Sequence, residues 1–314
     1  MKKRILIGVG LSGAIIFGLL RTVPPQAVLT HLRSARVDLV ILACLANFIT
    51  LMLRSERWRL LLSNFRRLSS ATVLKPYLVG IAVNSVLPFR TGEAVRAYAV
   101  ARSGINPTHA ISTVLADRSF DAISFGALAL LAAQVIDLPA TVSARTYGIA
   151  LSSVALIASF PIVAHVGRVM RRKQEYAIGD SLADRIARRL EPLLSGYALL
   201  SPRKALVCGL LSIVAWMAQL VVAMLVVRTV DLPLTLPAVV VALLVVNAAS
   251  AFPITPANIG VFQVAFMLAL SAYGFERNAA IAAGTVLQAV LVIPVTVIGL
   301  ILLNRHRNWI SRGI

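Results

Sequence analysis

Long apolar stretches recur along this chain and limit what it can fold into. Most approach or exceed the about 17 residues that a helix needs to cross a bilayer. The chain is 59% hydrophobic and 14% charged, whereas soluble domains are about half apolar and a quarter charged. The stretches are residues 5–20, 37–53, 120–136, 147–166, 205–227, 236–252 and 280–303, with two shorter ones at 76–88 and 259–273.

These stretches predict an all-α, polytopic integral membrane protein. We expect about seven to eight transmembrane helices, and the two shorter stretches predict broken or re-entrant elements. Almost no sequence remains for a soluble domain, so residues 1–314 are expected to form a single transmembrane domain.

The positive charge of the chain lies mainly between the apolar stretches. The net charge is +19, and Lys and Arg accumulate in the cytoplasmic loops of membrane proteins. This pattern predicts a bacterial inner (cytoplasmic) membrane protein with both termini cytoplasmic, and no nucleic-acid partner. The basic segments 1–4, 54–75, 167–204 and 305–314 are expected inside and 137–145 and 228–235 outside, while the loop 21–36 runs against this scheme.

The amino terminus has two interpretations, a signal peptide or a first membrane helix. No small-residue cleavage site follows Leu20, which such a peptide would need. We therefore expect an uncleaved helix.

Two polar stretches broken by proline and glycine interrupt the apolar sequence. The first runs from Asn84 to Glu93 and the second from Ser250 to Gly260. In hydrocarbon a broken helix leaves backbone N–H and C=O groups without partners, so it persists only where protein or a wet cavity covers it. Paired breaks in the two halves of a chain point to a transport site.

The similarity of the two stretches continues downstream. Gly104 and Gly274 are each followed, six residues later, by an Ala-Ile pair. Such short matches arise by chance, or they mark repeat-like halves at about 72–136 and 236–303. Loop charges predict opposite insertion of these halves, which is the inverted-repeat architecture of many transporters.

Two segments combine basic and apolar residues. Residues 56–68 and 184–194 each predict a short amphipathic helix that anchors the chain at the lipid surface.

Charged residues cluster between residues 90 and 121, next to the first break. Ionisable groups at membrane depth are costly and usually face a cavity or one another. They could simply be internal ion pairs or interfacial residues. Alternatively, Arg90, Arg96 and Arg118 surround a phosphate-bearing head group while Glu93 and Asp117 orient them, because guanidinium groups bind two phosphate oxygens at once. The candidate substrate-binding residues are Asn84, Pro88, Arg90, Gly92, Glu93, Arg96, Asp117, Arg118, Asp121, Pro256, Asn258 and Gly260.

The residue types used in catalysis and metal binding are dispersed. The four histidines, His31, His109, His165 and His306, have no metal-ligand spacing, and Cys44 and Cys208 lie in separate apolar stretches. No nucleophile elbow or phosphate-binding glycine loop is present. No catalytic residue, metal or cofactor is therefore predicted, and the chain is not expected to be an enzyme.

Several of these residues resemble the motifs of a known family. From about residue 35 to 303 the chain is similar to the transmembrane region of the lysylphosphatidylglycerol synthase family, also called the flippase-like family. The resemblance implies an all-helical protein that moves, or is proposed to move, lipids or lipid-linked groups between leaflets. The resembling residues are Arg54 to Trp58, Asn84 to Pro88, Arg90 to Glu93, Arg96, Gly104, Asp117, Arg118, Asp121, Pro253 to Pro256 and Gly260 to Phe262.

Two further expectations follow from this resemblance. The chain stops at Ile314 without the aminoacyltransferase domain of the lysyl-lipid members, so synthesis of aminoacyl lipid is not expected. Where the family usually has a glutamate in the second motif, this chain has Gln263. Where an arginine usually follows, Gln288 or Ala289 stands. The ionic part of the site is therefore expected in the first half.

The sequence thus favours a flippase-like transporter that moves a lipid or lipid-linked head group between leaflets. Its partner is then a membrane lipid or lipid-linked substrate. Two alternatives stay open: a non-catalytic scaffold that contacts envelope biosynthetic enzymes, and an intramembrane lipid transferase.

Overall fold

All regular elements in the described part of the chain are helices, which confirms the all-α part of the predicted fold class. The computed structural model describes residues 25–87, 90–135, 165–166, 169, 191–232, 235–250 and 255–305. The helices are α1 Pro25–Arg33, α2 Val37–Leu62, α3 Ser70–Val86, α4 Thr91–Ala101, α5 Pro107–Val135, α6 Pro202–Thr229, α7 Leu236–Ser250, α8 Val261–Ser271 and α9 Arg277–Arg305. Residues 191–198 are also helical, and a 3₁₀ turn, Pro256–Asn258, precedes α8.

Three described helices are long and apolar enough to cross a membrane. They are α2, α6 and α9, with 26, 28 and 29 residues. At 1.5 Å per residue even α2 is about 39 Å long, more than the about 30 Å hydrocarbon core. The predicted stretch 5–20 and all but the last two residues of the predicted stretch 147–166 lie outside the described residues, so the total of seven to eight spans stays a prediction.

Local sequence explains where several helices begin. The Ser69 hydroxyl accepts the N–H of Thr72 at 3.2 Å, and the Ser201 hydroxyl accepts that of Lys204 at 3.3 Å. Each serine caps a helix start that would otherwise leave N–H groups unpaired. Pro202 takes the first position of α6, where no amide hydrogen is needed.

Helix α2 continues further than the sequence predicts. It passes through the basic residues after Arg54 and ends at Leu62. Arg57, Trp58 and Leu61 are completely buried. The prediction of a surface anchor at 56–68 is therefore wrong, because its first half is packed inside the protein. Of the other predicted anchor, 184–194, only residues 191–194 are described.

The described apolar core has two main parts. One contains mostly residues of α6, α7, α8 and α9, around Phe266 and Leu287. The other contains α2, α3, α4 and α5, around Trp58 and Tyr77. Helix α9 also packs along α3, where Gly299 approaches Ala82 so closely that no Cβ would fit. Small residues permit such approaches between membrane helices.

Candidate functional site

The first predicted break lies between α3 and α4. Arg90 precedes α4 with a left-handed φ of 53°, a conformation uncommon for residues other than glycine. Its carbonyl accepts the N–H of Glu93 at 3.0 Å, and its guanidinium donates to the Ser250 carbonyl at 3.4 Å. Arg90 therefore links this break to the end of α7. Pro88 lies outside the described residues.

The side chain of Asn84 closes the gap left by the break. Its Oδ1 accepts the N–H of Gly92 at 2.7 Å, so α3 satisfies an amide in the first turn of α4. Gly92 in turn faces the carbonyl of Gly80, with no space for a Cβ. Gly92 thus serves close packing between α3 and α4.

Behind the break, two arginines hold the fully buried carboxylate of Asp117. Arg57 donates from Nε to Asp117 Oδ1 at 2.8 Å, and Arg96 donates to Oδ2 at 3.1 Å. The guanidinium of Arg96 also lies 4.8 Å from the ring centroid of Trp58 and 5.1 Å from that of Tyr77. We call Arg57, Arg96 and Asp117 the inner layer. Because every member has partners, these charges can be buried.

A second set of charges, the outer layer, lies next to the inner one. It comprises Arg54, Arg90, Glu93, Arg118 and Asp121. Arg118 Nε is 2.7 Å from Glu93 Oε1, and Arg118 Nη1 is 3.4 Å from Asp121 Oδ2. Arg90 is 4.0 Å from Glu93, and Arg54 is 3.9 Å from Asp121. Asp121 also contacts Arg57 at 2.9 Å, which joins the two layers.

A cavity of about 270 Å³, lined by both polar and apolar side chains, opens beside the outer layer. On one side it is lined by Arg54, Arg90, Glu93 and Arg118, and on the other by Asn247, Thr255 and Asn258. Asn84 also lines it. The inner-layer residues Arg96 and Asp117 do not, nor do Asp121, Gly92 and Gly260. The side chain of Pro256 lies outside the described part of the chain. Five of the predicted site residues therefore face the cavity, namely Asn84, Arg90, Glu93, Arg118 and Asn258.

The second break contains a chain of neutral hydrogen bonds. Gln263 accepts the N–H of Gly260 at 2.9 Å and donates to Gln288 at 2.7 Å. Gln288 then donates to the Ala257 carbonyl at 2.8 Å. Ala257 and Asn258 both have positive φ, at 51° and 55°. The two glutamines therefore hold a turn whose backbone could not pair within a regular helix.

The elements after the two breaks correspond in length. Helices α4 and α8 both have 11 residues, and α5 and α9 both have 29. A glycine with positive φ, Gly104 or Gly274, separates the members of each pair. At a constant spacing of 170 positions, Glu93 corresponds to Gln263 and Arg118 to Gln288. The ion pair of one set is thus an amide pair in the other, and Gln288 rather than Ala289 takes the arginine position.

Sequence reasoning did not place Arg54 and Arg57 in the site, although both belong to a resembling motif. Both arginines directly follow the apolar stretch 37–53, and this position could have indicated that they belong to the same helix. The positive charge of 54–75 instead predicts a cytoplasmic loop. His109, in contrast, stacks on Phe65 at 4.5 Å. Within the described ranges, His, Cys, Asp and Glu form no group of three that could hold a metal ion.

Membrane-length helices around a buried ionic network and a partly polar cavity define an integral membrane protein. Residues 5–299 match the family described as lysylphosphatidylglycerol synthase TM region, and the chain belongs to that family. This confirms the resemblance seen in the motifs.

Two curated relatives are similar over most of this chain. The glycosyltransferase AglD of Haloferax volcanii is 26% identical over 335 residues, covering 95% of this chain and 54% of that protein. The chain thus spans about half the length of that relative. A UPF0104 membrane protein of Methanothermobacter thermautotrophicus is 26% identical over 311 residues, covering 91% of this chain and 89% of the relative.

Proposed function

We propose that this protein moves the head group of a lipid or lipid-linked molecule between the leaflets of the cytoplasmic membrane. The observation that carries the proposal is the partly polar cavity among apolar helices, lined by both break regions and by three arginines. A polar cavity at membrane depth is costly unless it serves a polar passenger.

The size of the cavity fits a head group without its acyl or prenyl tails. Small-molecule pockets measure about 300–1,000 Å³, and this cavity of about 270 Å³ is slightly smaller. A polar head would occupy the cavity while the tails stay in lipid, so only the head would need protein contacts on its way across.

The equal helix lengths after the two breaks support an inverted repeat. In such transporters one repeat rocks against the other around a central site. The backbone breaks at Arg90 and Gly260, both with positive φ, are the natural pivots for this motion.

The second candidate function is a non-catalytic scaffold that binds an enzyme of envelope-lipid biosynthesis. The Haloferax relative, which is named a glycosyltransferase, favours this role, because this chain covers only part of that protein. An intramembrane transferase is less well supported. Its general base would have to be Glu93, Asp117 or Asp121, and each of these carboxylates already contacts arginines.

Leaflet exchange in proteoliposomes tests the proposal. Purified protein is reconstituted with native lipid extract, and the wild type is compared with Arg118→Ala and Glu93→Gln. We expect faster exchange of at least one lipid than in empty vesicles, and its loss in both variants. The control is Arg59→Ala. Arg59 does not line the cavity, and it pairs with Glu56 at a distance of 2.6 Å. Equal rates in empty and protein-containing vesicles, with and without a proton gradient, would contradict transport by this chain alone.

A further inference from the structure

Among the described residues, the charges around the cavity do not balance. The ion pairs of the two layers join five arginines, Arg54, Arg57, Arg90, Arg96 and Arg118, to three carboxylates, Glu93, Asp117 and Asp121. The network therefore has a formal excess of two positive charges. The short gaps in the described chain that directly adjoin the cavity-lining residues Arg90, Ser250 and Thr255, residues 88–89 and 251–254, contain no ionisable residue. Because uncompensated charge is expensive inside a membrane, the network favours an anion in the cavity.

The groups that would bind an ammonium ion are already in use. An ammonium group is held by a carboxylate or by aromatic faces. Glu93, the carboxylate on the cavity wall, contacts Arg118 at 2.7 Å. Tyr77 also lines the cavity, but the guanidinium of Arg96 lies over its ring. Phe262 is then the remaining aromatic ring on the described wall, and one ring does not form a cage.

The described wall opposite the arginines carries no charge. Where the first half has Glu93 and Arg118, the second half has Gln263 and Gln288, which bind each other and the turn. The polar side chains on that wall include Asn247, Thr255 and Asn258, and they lie among apolar ones such as Leu243 and Phe262. Asn247 uses its amide N–H for the Leu243 carbonyl at 2.8 Å, so its Oδ1 can accept from a hydroxyl. Amide and hydroxyl groups suit hydroxyls rather than a second charge.

The geometry points to a head group with one phosphate and an uncharged, hydroxylated remainder, such as a glycerol or a sugar. This inference rests on the proposed function for its lipid context. The phosphate contacts Arg54, Arg90 and Arg118, and the hydroxyls contact the asparagine wall. Head groups that carry an ammonium, including aminoacyl lipids, are disfavoured by the positive excess. The family description names lysylphosphatidylglycerol, a lipid whose head group carries ammonium groups. For this member we nevertheless assign a site that selects an anionic head group.

Binding of short-chain lipids to the purified full chain in detergent tests this assignment. The probes are dihexanoyl phosphatidylglycerol, dihexanoyl phosphatidylmethanol and dihexanoyl phosphatidylethanolamine, each titrated by calorimetry. The second has the same charge as the first without its hydroxyls, and the third adds an ammonium. We expect the glycerol lipid to bind at least about tenfold more tightly than the ethanolamine lipid, with the methanol lipid in between.

Variants locate the binding. Arg118→Gln should weaken binding of the glycerol lipid about tenfold, whereas Arg59→Gln should leave it unchanged. These arginines are similar in exposure, with side chains 33% and 32% exposed, and each pairs with a glutamate, while Arg118 also contacts Asp121 at 3.4 Å. Arg90→Gln, at a more exposed cavity position, repeats the test if Arg118→Gln fails to fold.

Each outcome separates this inference from the proposed function. Equal affinity for the ethanolamine and glycerol lipids, no binding of any probe, or equal effects of Arg118→Gln and Arg59→Gln would overturn it. Equal affinity for the glycerol and methanol lipids would overturn the role of the neutral wall. Selective binding without leaflet exchange would contradict transport and leave the anion site standing. Exchange of all three head groups at one rate would support transport and contradict the selective anion site.

Discussion

At the scale of single residues, Asp117 determines whether the buried arginines can stay where they are. It is fully buried between Arg57 and Arg96. Asp117→Asn should destabilise the protein by about 3–5 kcal/mol, because it leaves buried positive charges without their counter-charge. Thermal unfolding in detergent, followed by intrinsic fluorescence, measures the loss.

The comparison variant for this prediction is Glu56→Gln. It removes a carboxylate from the partly exposed pair with Arg59 and should cost no more than about 1 kcal/mol. Equal unfolding temperatures for the two variants would show that the inner layer does not stabilise the fold.

A second residue-scale prediction concerns the contact between α3 and α4. Gly92→Ala places a methyl group against the carbonyl of Gly80, so the two helices must separate and the unfolding temperature should fall. Gly209→Ala in α6 meets no atom within 4 Å. It should be neutral or stabilising by up to about 1 kcal/mol, because alanine favours helix more than glycine does. Similar effects of both changes would contradict the close packing.

At the scale of elements, the turn before α8 depends on the pair of glutamines. Gln263→Glu and Gln288→Arg should each reduce stability when made alone, because each adds an unpaired charge at membrane depth. The double variant should recover much of that loss, since it recreates the ion pair of the first half. A double-mutant cycle on unfolding temperature measures this coupling. Additive losses in the double variant would argue against the correspondence of the two halves.

Hydropathy predicted some helix boundaries correctly and missed those where charged residues are buried inside the protein. Apolar runs located α6 and α9 to within a few residues of their ends. They placed the end of α2 too early and the start of α5 too late, because charged residues such as Arg54, Arg57 and Asp117 interrupt the apolar runs. Hydropathy assumes that a charge is solvated. Arg57 and Asp117 neutralise each other although they are 60 residues apart in sequence. Only the three-dimensional structure shows this contact.

The candidate site shows the same limit. The pattern of charges indicated that Glu93 and Arg118 belong to one region, but not that they pair. Gln263 stood out only as a departure from the family motif. Its role in holding the Ala257–Gly260 turn through Gln288 depends on contacts that no local pattern contains.

At the scale of the whole molecule, α6 provides a direct test of orientation. Its 28 residues span about 42 Å, so its ends should lie on opposite sides of the membrane. In a background of Cys44→Ala and Cys208→Ala, an impermeant maleimide should label Arg203→Cys from the cytoplasmic side and Asp231→Cys from the other. Labelling of both from one side would contradict the predicted topology.

The contact between Arg57 and Asp117 has a consequence for the biogenesis of the protein. An arginine within an apolar helix makes the release of that helix into lipid less favourable, by about 2.5–3.5 kcal/mol at the helix centre and by less toward its ends. Helix α2 contains Arg57, whose carboxylate partner lies 60 residues later in α5. We therefore expect α2 to remain beside the insertion machinery until α5 has been synthesised, so that the two helices leave it together.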